Sequence, residues 1–410
     1  KEMIRKLTRA SLLALAALTA MVSIADASGV LSIGRRSDSS TFDPINTTQN
    51  IDFWVFMNVY DVLVRVDKSG AKLVPGLAES WEISEDGLTY TLHLRDANFS
   101  DGSAITSEDA KFSLERVRDS ELSLWPDGYQ IISNMETPDA KTLIITLSEQ
   151  SAPFLSTLAM PATSVVSKAG MEALGDEGYA ESPVASGAFM VKEWIRGDHV
   201  ILEKNPEFWQ ADNVSLDGVE WIAIPDDNTR MLSVQAGELD AAIFVPFSRV
   251  EELLADPDLT VHIEPSTRED NLLINHEHAP LDNIHVRAAL DYAIDKQAIV
   301  DTVTFGQGTV ANSYVPAGAL YYSADNGARP FDLEKAKAEL AMAGVDDLSL
   351  DYVVGAGDEV GEQVAVLVQQ QLAAIGVEVK LVKMDPSQTW DSFVTGEYDL
   401  SQAYWTNDIL

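Results

Sequence analysis

Residues 348–382 read LSLDYVVGAGDEVGEQVAVLVQQQLAAIGVEVKLV. Leu348 to Val354 is rich in β-branched and aromatic side chains and reads as a strand. Asp358 to Ile375 spaces Val360, Val364, Leu367, Val368 and Leu372 along one helical face, and Val377 to Val382 reads as the next strand. Strand, helix and strand in this order predict a βαβ unit with parallel strands and a right-handed crossover, which puts the chain in the α/β class. The connecting loop carries Gly355 and Gly357, with Gly361 four residues later. A dinucleotide fingerprint would need the third glycine one position earlier. Two readings stay open: a tight turn without a ligand, or a glycine loop whose backbone N–H groups meet a ligand at the helix start.

Working toward the N-terminus, Asp332 is placed to cap a helix carrying Ala336, Leu340 and Ala343 and closed by Gly344. Asp282 precedes a helix with Val286, Ala289, Leu290 and Ala293 on its apolar face, followed by Gly306 and Gly308. Further upstream, LVPGLAESWEISEDGLTYTLHLR (73–95) has Asp86-Gly87 between two strand-like runs, the mark of a hairpin turn. Leu88, Tyr90, Leu92 and Leu94 alternate with polar neighbours, so His93 falls on the wetter face. Thr106 stands three residues before Asp109, a capping-box start for a helix that buries Ala110, Leu114 and Val117. Val30 to Gly34, Val200 to Glu203 and Val219 to Ile224 read as short strands alternating with helices.

The 410 residues predict two or three domains. With 65 acidic against 28 basic side chains, a net charge of −37 and a pI near 4.3, the surface repels phosphate backbones, so no nucleic-acid partner is expected. Cysteine is absent, which excludes disulfides, thiolate metal sites, thiol nucleophiles and a lipidated N-terminal cysteine. Arg5, Lys6 and Arg9, then the uncharged stretch Ala10 to Ala25 and the small-x-small end Ala25-Asp26-Ala27, read as an export signal over residues 1–27. A membrane span would need about 20 apolar residues. The expected location is therefore periplasmic, with the mature chain starting near Ser28 and not spanning the membrane.

No GxSxG or HExxH string occurs, and Ser69-Gly70-Ala71-Lys72 lacks the partner motifs of the serine acylases. His276, His278 and His285 crowd together, but a polar surface loop is the plainer reading, and neither metal nor cofactor is expected. Of Trp54, Tyr60, Trp125, Tyr129, Trp390, Tyr404 and Trp405, some are expected to line a concave site where flat rings grip a ligand. Core packing is the competing reading for each.

The run LVPGLAESWEISEDGLTYTLHLRDANFSDGSAITSEDAKFSLERV resembles the signature region of the extracytoplasmic solute-binding proteins, family 5, which serve peptide, nickel and related ABC importers. PVASGAFMVKEWIRGDHVILEKNPEFW from Pro183, LDGVEWIAIPDDNTRMLSVQAGELDAAIF from Leu216, VRAALDYAIDKQAIV from Val286 and AKAELAMAGV from Ala336 follow in the family's order. The resemblance implies a two-lobed periplasmic binding protein, type II, with an extra subdomain in lobe I. Lobe I would comprise 28–45 and 166–265, the subdomain 46–165 and lobe II 266–410, with a hinge crossing near Pro265 to Asn271 and a return to lobe I beyond Leu410.

It also implies a monomeric, non-enzymatic protein that encloses a peptide or peptide-like solute between its lobes and hands it to an ABC transporter permease. Asp408 is the implied partner of a peptide α-ammonium. Trp405, Tyr404, Trp390, Gly355, Gly357, Trp54 and Asn46 complete the expected ligand-contacting set. Dipeptide-binding relatives clamp the ligand carboxylate with an arginine before the long lobe II helix, whereas Gly355 to Val360 contains no arginine or lysine. Longer peptides, an oligosaccharide, an opine or a metal chelate therefore stay open as ligands, and a secreted hydrolase is the competing class.

Overall fold

A computed structural model describes residues 29–68, 72–264, 266–313, 315, 322–325, 328–345 and 347–406. The expected export signal and Asp408 lie outside these residues. The chain forms two compact units, one ending at Phe244 and one beginning at Val245. In the first unit the strands are β1 (Val30–Arg35), β2 (Val64–Val66), β3 (Leu73–Pro75), β4 (Ala78–Ile83), β5 (Thr89–Leu94), β6 (Ile132–Asp139), β7 (Thr142–Leu147), β8 (Phe189–Ile195), β9 (His199–Lys204), β10 (Gly218–Ala223) and β11 (Ala241–Ala242). They build a five-stranded sheet in the order β11-β1-β10-β9-β8, a four-stranded sheet β4-β5-β7-β6 and the small ladder β2-β3. In the larger sheet β1 runs parallel to both β10 and β11, and the remaining pairings are antiparallel.

The hairpin expected at Asp86-Gly87 joins β4 to β5, and Gly87 takes a φ of +66° that a side chain would resist. Tyr90, Leu92 and Leu94 point into the core while Thr89, Thr91 and His93 stay half-buried. The helix Ser107–Asp119 starts with the full capping box: Thr106 accepts from the Asp109 amide and the Asp109 carboxylate takes the Thr106 amide at 3.0 Å. Its Ala110, Leu114 and Val117 pack with Leu92, Leu143 and Ile145 in one core. A separate core, holding Phe42, Phe56, Val200 and Trp221, lies against the five-stranded sheet.

Buried charges lock the loop that follows β1. Arg116 grips Asp43 with two bonds of 2.9 Å and also reaches Asp176 at 3.0 Å, so helix Ser107–Asp119 is tied to that loop and to helix Lys168–Glu181. The wholly buried Asp52 accepts from the Ser40 amide (2.8 Å), the Ser40 hydroxyl (2.6 Å) and the Thr47 hydroxyl (2.7 Å). Together these bonds fix residues 40–47, which include Asn46.

The second unit contains β12 (Arg268–Ile274), β13 (Ser349–Gly355), β14 (Glu378–Met384) and β15 (Leu400–Thr406) in the order β12-β15-β13-β14. β13 pairs in parallel with β14 and β15, so the βαβ unit read from the sequence is present. The crossover helix runs Glu359–Ala373, but the stripe buried against the sheet is Gly361, Ala365, Val368 and Leu372. Val360, Val364 and Leu367, expected inward, are half-buried flanks. Gly361 and Ala365 are the small members of this stripe, and a Cβ at Gly361 would collide with the capping Asp358 carboxylate and stand 3.0 Å from Gln402 Oε1 on β15.

The single helix expected after Asp282 is two helices, Ile284–Ala293 and Lys296–Val303. Asn283 caps the first. Asp295 breaks the run by accepting from the Ala298 amide, which starts a new helix. Asp332 and Gly344 close the helix Leu333–Ala343 as read from the sequence.

The buried ion pair sets a stability test. Asp43→Ala removes the buried partner of Arg116 and leaves it only the half-exposed Asp176, which should cost about 3 kcal/mol in a urea titration. Asp176 is 56% exposed, so Asp176→Ala should cost less than about 1 kcal/mol. Equal losses from the two variants would contradict the role given to Asp43.

Candidate ligand-binding site

Open α/β sheets bind ligands beyond the carboxyl ends of their parallel strands, where backbone groups and loop side chains converge. In the second unit those ends are Gly355, Met384 and Thr406. The antiparallel β12 brings its amino end to the same edge, with Arg268 opposite Thr406 and Glu269 opposite Trp405. Four expected site residues, Gly355, Gly357, Tyr404 and Trp405, therefore share one edge of one sheet. Trp390 lies on the helix Pro386–Thr395 that follows β14. The side chains of Trp390 and Trp405, and all of Asp408, lie outside the described positions. Tyr404 is half exposed, and the Arg268 guanidinium sits 4.0 Å from its ring centre while pairing with Asp270 at 2.7 Å.

The glycine loop is closed by its own chain. The Ala356 amide donates to the Met384 carbonyl (2.7 Å), the Gly357 amide to Glu362 Oε1 (3.2 Å) and the Gly361 amide to Asp358 Oδ1 (3.1 Å). Lys383 holds Glu362 at 2.6 Å. Gly357 has a φ of +84°, so the turn itself requires a residue without a Cβ.

Three buried polar atoms of this sheet have no hydrogen-bond partner among the described residues: the Tyr352 hydroxyl on β13, Gln402 Oε1 on β15 and Glu269 Oε2 on β12. Burial pushes the Tyr352 phenol upward, with the Asp358 charge adding to it. Glu269 is only 6% exposed, and desolvation raises its carboxyl above the ordinary 4.5. Sequence reading missed Glu269, because Arg268-Glu269-Asp270 looks like a solvated turn. The sequence offers no alternation to reveal it, since the apolar residues further along β12, Leu272, Leu273 and Ile274, are consecutive.

The clustered histidines part company. His278 Nδ1 lies 3.1 Å from Asp399 and His285 Nδ1 lies 2.7 Å from Glu339. His276 lines a cavity of about 570 Å³ beside β12, with Asn271, Arg287, Phe393 and Tyr398. Among the described residues no group of three or more His, Asp or Glu is placed to hold a metal ion, and no helix is long and apolar enough to cross a membrane.

In the first unit the parallel strands β1, β10 and β11 end at Arg35, Ala223 and Ala242. Beyond those ends lie Arg36, Asp227 and Phe244. Trp54, on the helix Asn50–Val59, is half-buried with its ring 5.8 Å from that of Phe244. Asn46 is exposed, its amide donating to the Asp43 carbonyl. Two aromatics grouped with the site on sequence grounds belong to the core instead. Tyr60 and Tyr129 are at most 4% exposed, and their hydroxyls donate to the carbonyls of Phe42 and Thr157, because a buried phenol needs an acceptor.

Glu269 gives the second unit a pH signature. A carboxyl raised in the folded state stays protonated there while the unfolded chain ionises, so stability falls as pH climbs from the unfolded pKa through the folded one. The deficit persists above that range. Glu269→Gln should therefore melt higher than the parent at about pH 7, with the difference vanishing near about pH 4. A constant difference at both values would show that Glu269 does not titrate anomalously.

The family profile described as Bacterial extracellular solute-binding proteins, family 5 Middle, matches residues 72–410. The glutathione-binding protein GsiB of Escherichia coli strain K12 is 32% identical over 390 residues, spanning 94% of this chain and 76% of that protein. Among solved structures, the ABC transporter-associated periplasmic binding protein DppA from Helicobacter pylori, in complex with peptide STSA, matches with a TM-score of 0.84 and 28% identity, covering 93% of this chain and 79% of that one. The binding protein AgaA from A. tumefaciens R10, in complex with agropinic acid, matches at 0.81 and 30% identity, covering 93% and 78%. The fold is that of the two-lobed periplasmic binding proteins, and the chain belongs to the bacterial extracellular solute-binding proteins, family 5.

Proposed function

We propose that this protein is the solute-capturing component of an ABC importer, closing two lobes on a peptide or peptide-like solute outside the cytoplasmic membrane and delivering it unchanged to the permease. The observation that carries this reading is the 32% identity to a glutathione-binding protein over 94% of the chain. Residues 1–27 would direct export, and the hinge would cross near Pro265 to Asn271. Asp408 would meet the α-ammonium, Trp405, Tyr404, Trp390 and Trp54 would supply ring faces, and Gly355, Gly357 and Asn46 would border the ligand. An opine is the second reading. It is favoured by the likeness to the agropinic acid complex and by the lack of arginine or lysine in residues 355–360.

A thermal-shift screen against glutathione, short peptides and agropinic acid tests the reading. A true ligand at about 100 times its dissociation constant adds roughly 2.7 kcal/mol to stability, and mass spectrometry should recover it intact. A cleaved product would overturn the non-catalytic assignment.

Asp408 has its own test. Stranding a buried ammonium costs about 3–5 kcal/mol, so Asp408→Asn should weaken a peptide by at least about a hundredfold at roughly 1.4 kcal/mol per decade. N-acetylation of the peptide should do the same. If both changes leave affinity within about threefold, ammonium capture by Asp408 is wrong.

A further inference from the structure

β1 lies between its two parallel neighbours in the first unit, so the segments leaving the carboxyl ends of β11, β1 and β10 emerge side by side. One of them carries Phe244 at a φ of +59°. Bulky L residues avoid this left-handed region, and it persists where the surroundings over-determine it, typically at functional positions. Here the surroundings are the wholly buried Arg230. It donates to the carbonyls of Ile243 (3.2 Å) and Phe244 (2.8 Å) after β11 and of Pro225 (3.0 Å) after β10, and it pairs with Asp227.

This strained backbone does not bury the ring. Phe244 is 50% exposed, beside Trp54, with the Arg36 guanidinium 5.7 Å from its ring centre. Arg36 is itself 58% exposed and is oriented by Asp227 at 2.8 Å. Met57, one turn along the helix from Trp54, is also exposed. A guanidinium held by one carboxylate and still open to solvent can accept a second carboxylate through charge-assisted bonds. The two rings beside it suit an apolar group on the same ligand.

We propose that Arg36, Phe244 and Trp54 form a subsite for a ligand carboxylate flanked by an apolar side chain, with Arg230 and Asp227 as positioning residues. The inference rests on the solute-binding reading above and deepens it by naming, within the first unit, a cation for a ligand carboxylate.

The test is titration calorimetry on the full chain with reduced glutathione, Met-Leu and agropinic acid, each also as its carboxylate ester. Arg36→Ala should weaken a bound free acid by about tenfold or more and Arg36→Lys by less, since lysine keeps the charge without the fork. Esterification should weaken binding to the parent protein comparably and add little to Arg36→Ala. Phe244→Gly should hold or raise the melting temperature, because glycine accepts this φ, while weakening the same probe by about tenfold. A purely structural role for Phe244 predicts the reverse, a lower melting temperature with affinity unchanged. If the parent binds a probe and both variants stay within about twofold of it, the subsite is wrong and the solute-binding reading stands. If the parent binds none of the three probes, both fall.

Discussion

Arg230 surrenders its water completely and spends its donors on backbone carbonyls. A bare guanidinium in that position would be prohibitively costly. It is tolerated because the Asp227 carboxylate and four carbonyls, those of Ile224, Pro225, Ile243 and Phe244, surround it. The carbonyls belong to chain segments leaving two strands on opposite sides of β1. β11 contributes only two residues to the sheet, too few for its ladder alone to fix the direction of the chain beyond it. The direction is fixed by Arg230, and the placement of Phe244 against Trp54 and Arg36 follows from it.

The same device recurs nearby. Arg35 is fully buried, donates to the Ile51 carbonyl (3.1 Å), Asp38 (3.2 Å) and Ser39 (3.1 Å), and lies over the Trp221 ring. Burial lowers its pKa to about 10, against the opposing pull of Asp38 and Asp52, which still leaves it charged at neutral pH. With Arg116 on Asp43, three buried arginines fasten the loops around the first sheet. A protein with an excess of 37 negative charges thus places some of its scarce cations where they organise backbone, while Arg36, next to the buried Arg35, reaches solvent.

What the sequence made legible was local. The Asp86-Gly87 turn, the Thr106–Asp109 capping box, the Asp332 and Gly344 boundaries and the strand–helix–strand at 348–382 depend on residues a few positions apart, and the chain declares them directly. On helix Glu359–Ala373 the inward Val368 and Leu372 were legible, whereas Gly361 and Ala365 were missed because apolar bulk was taken as the guide. Contacts across long separations left no such trace. Arg36 meets Asp227 across 191 residues, and Ser32 meets Asp240 across 208. Tyr404 and Trp405 were singled out as aromatics and again by family resemblance, but Glu269, opposite Trp405 on β12, was hidden by its charged neighbours.

Arg230 grips main-chain oxygen atoms and leaves the side chain of residue 244 untouched. Conformation and chemistry at that position are thereby uncoupled. A lineage could exchange the phenyl ring for another group, and so retune which solutes are admitted, without rebuilding the scaffold beneath it. Such a position is a natural point of diversification among importers that feed on different nutrients.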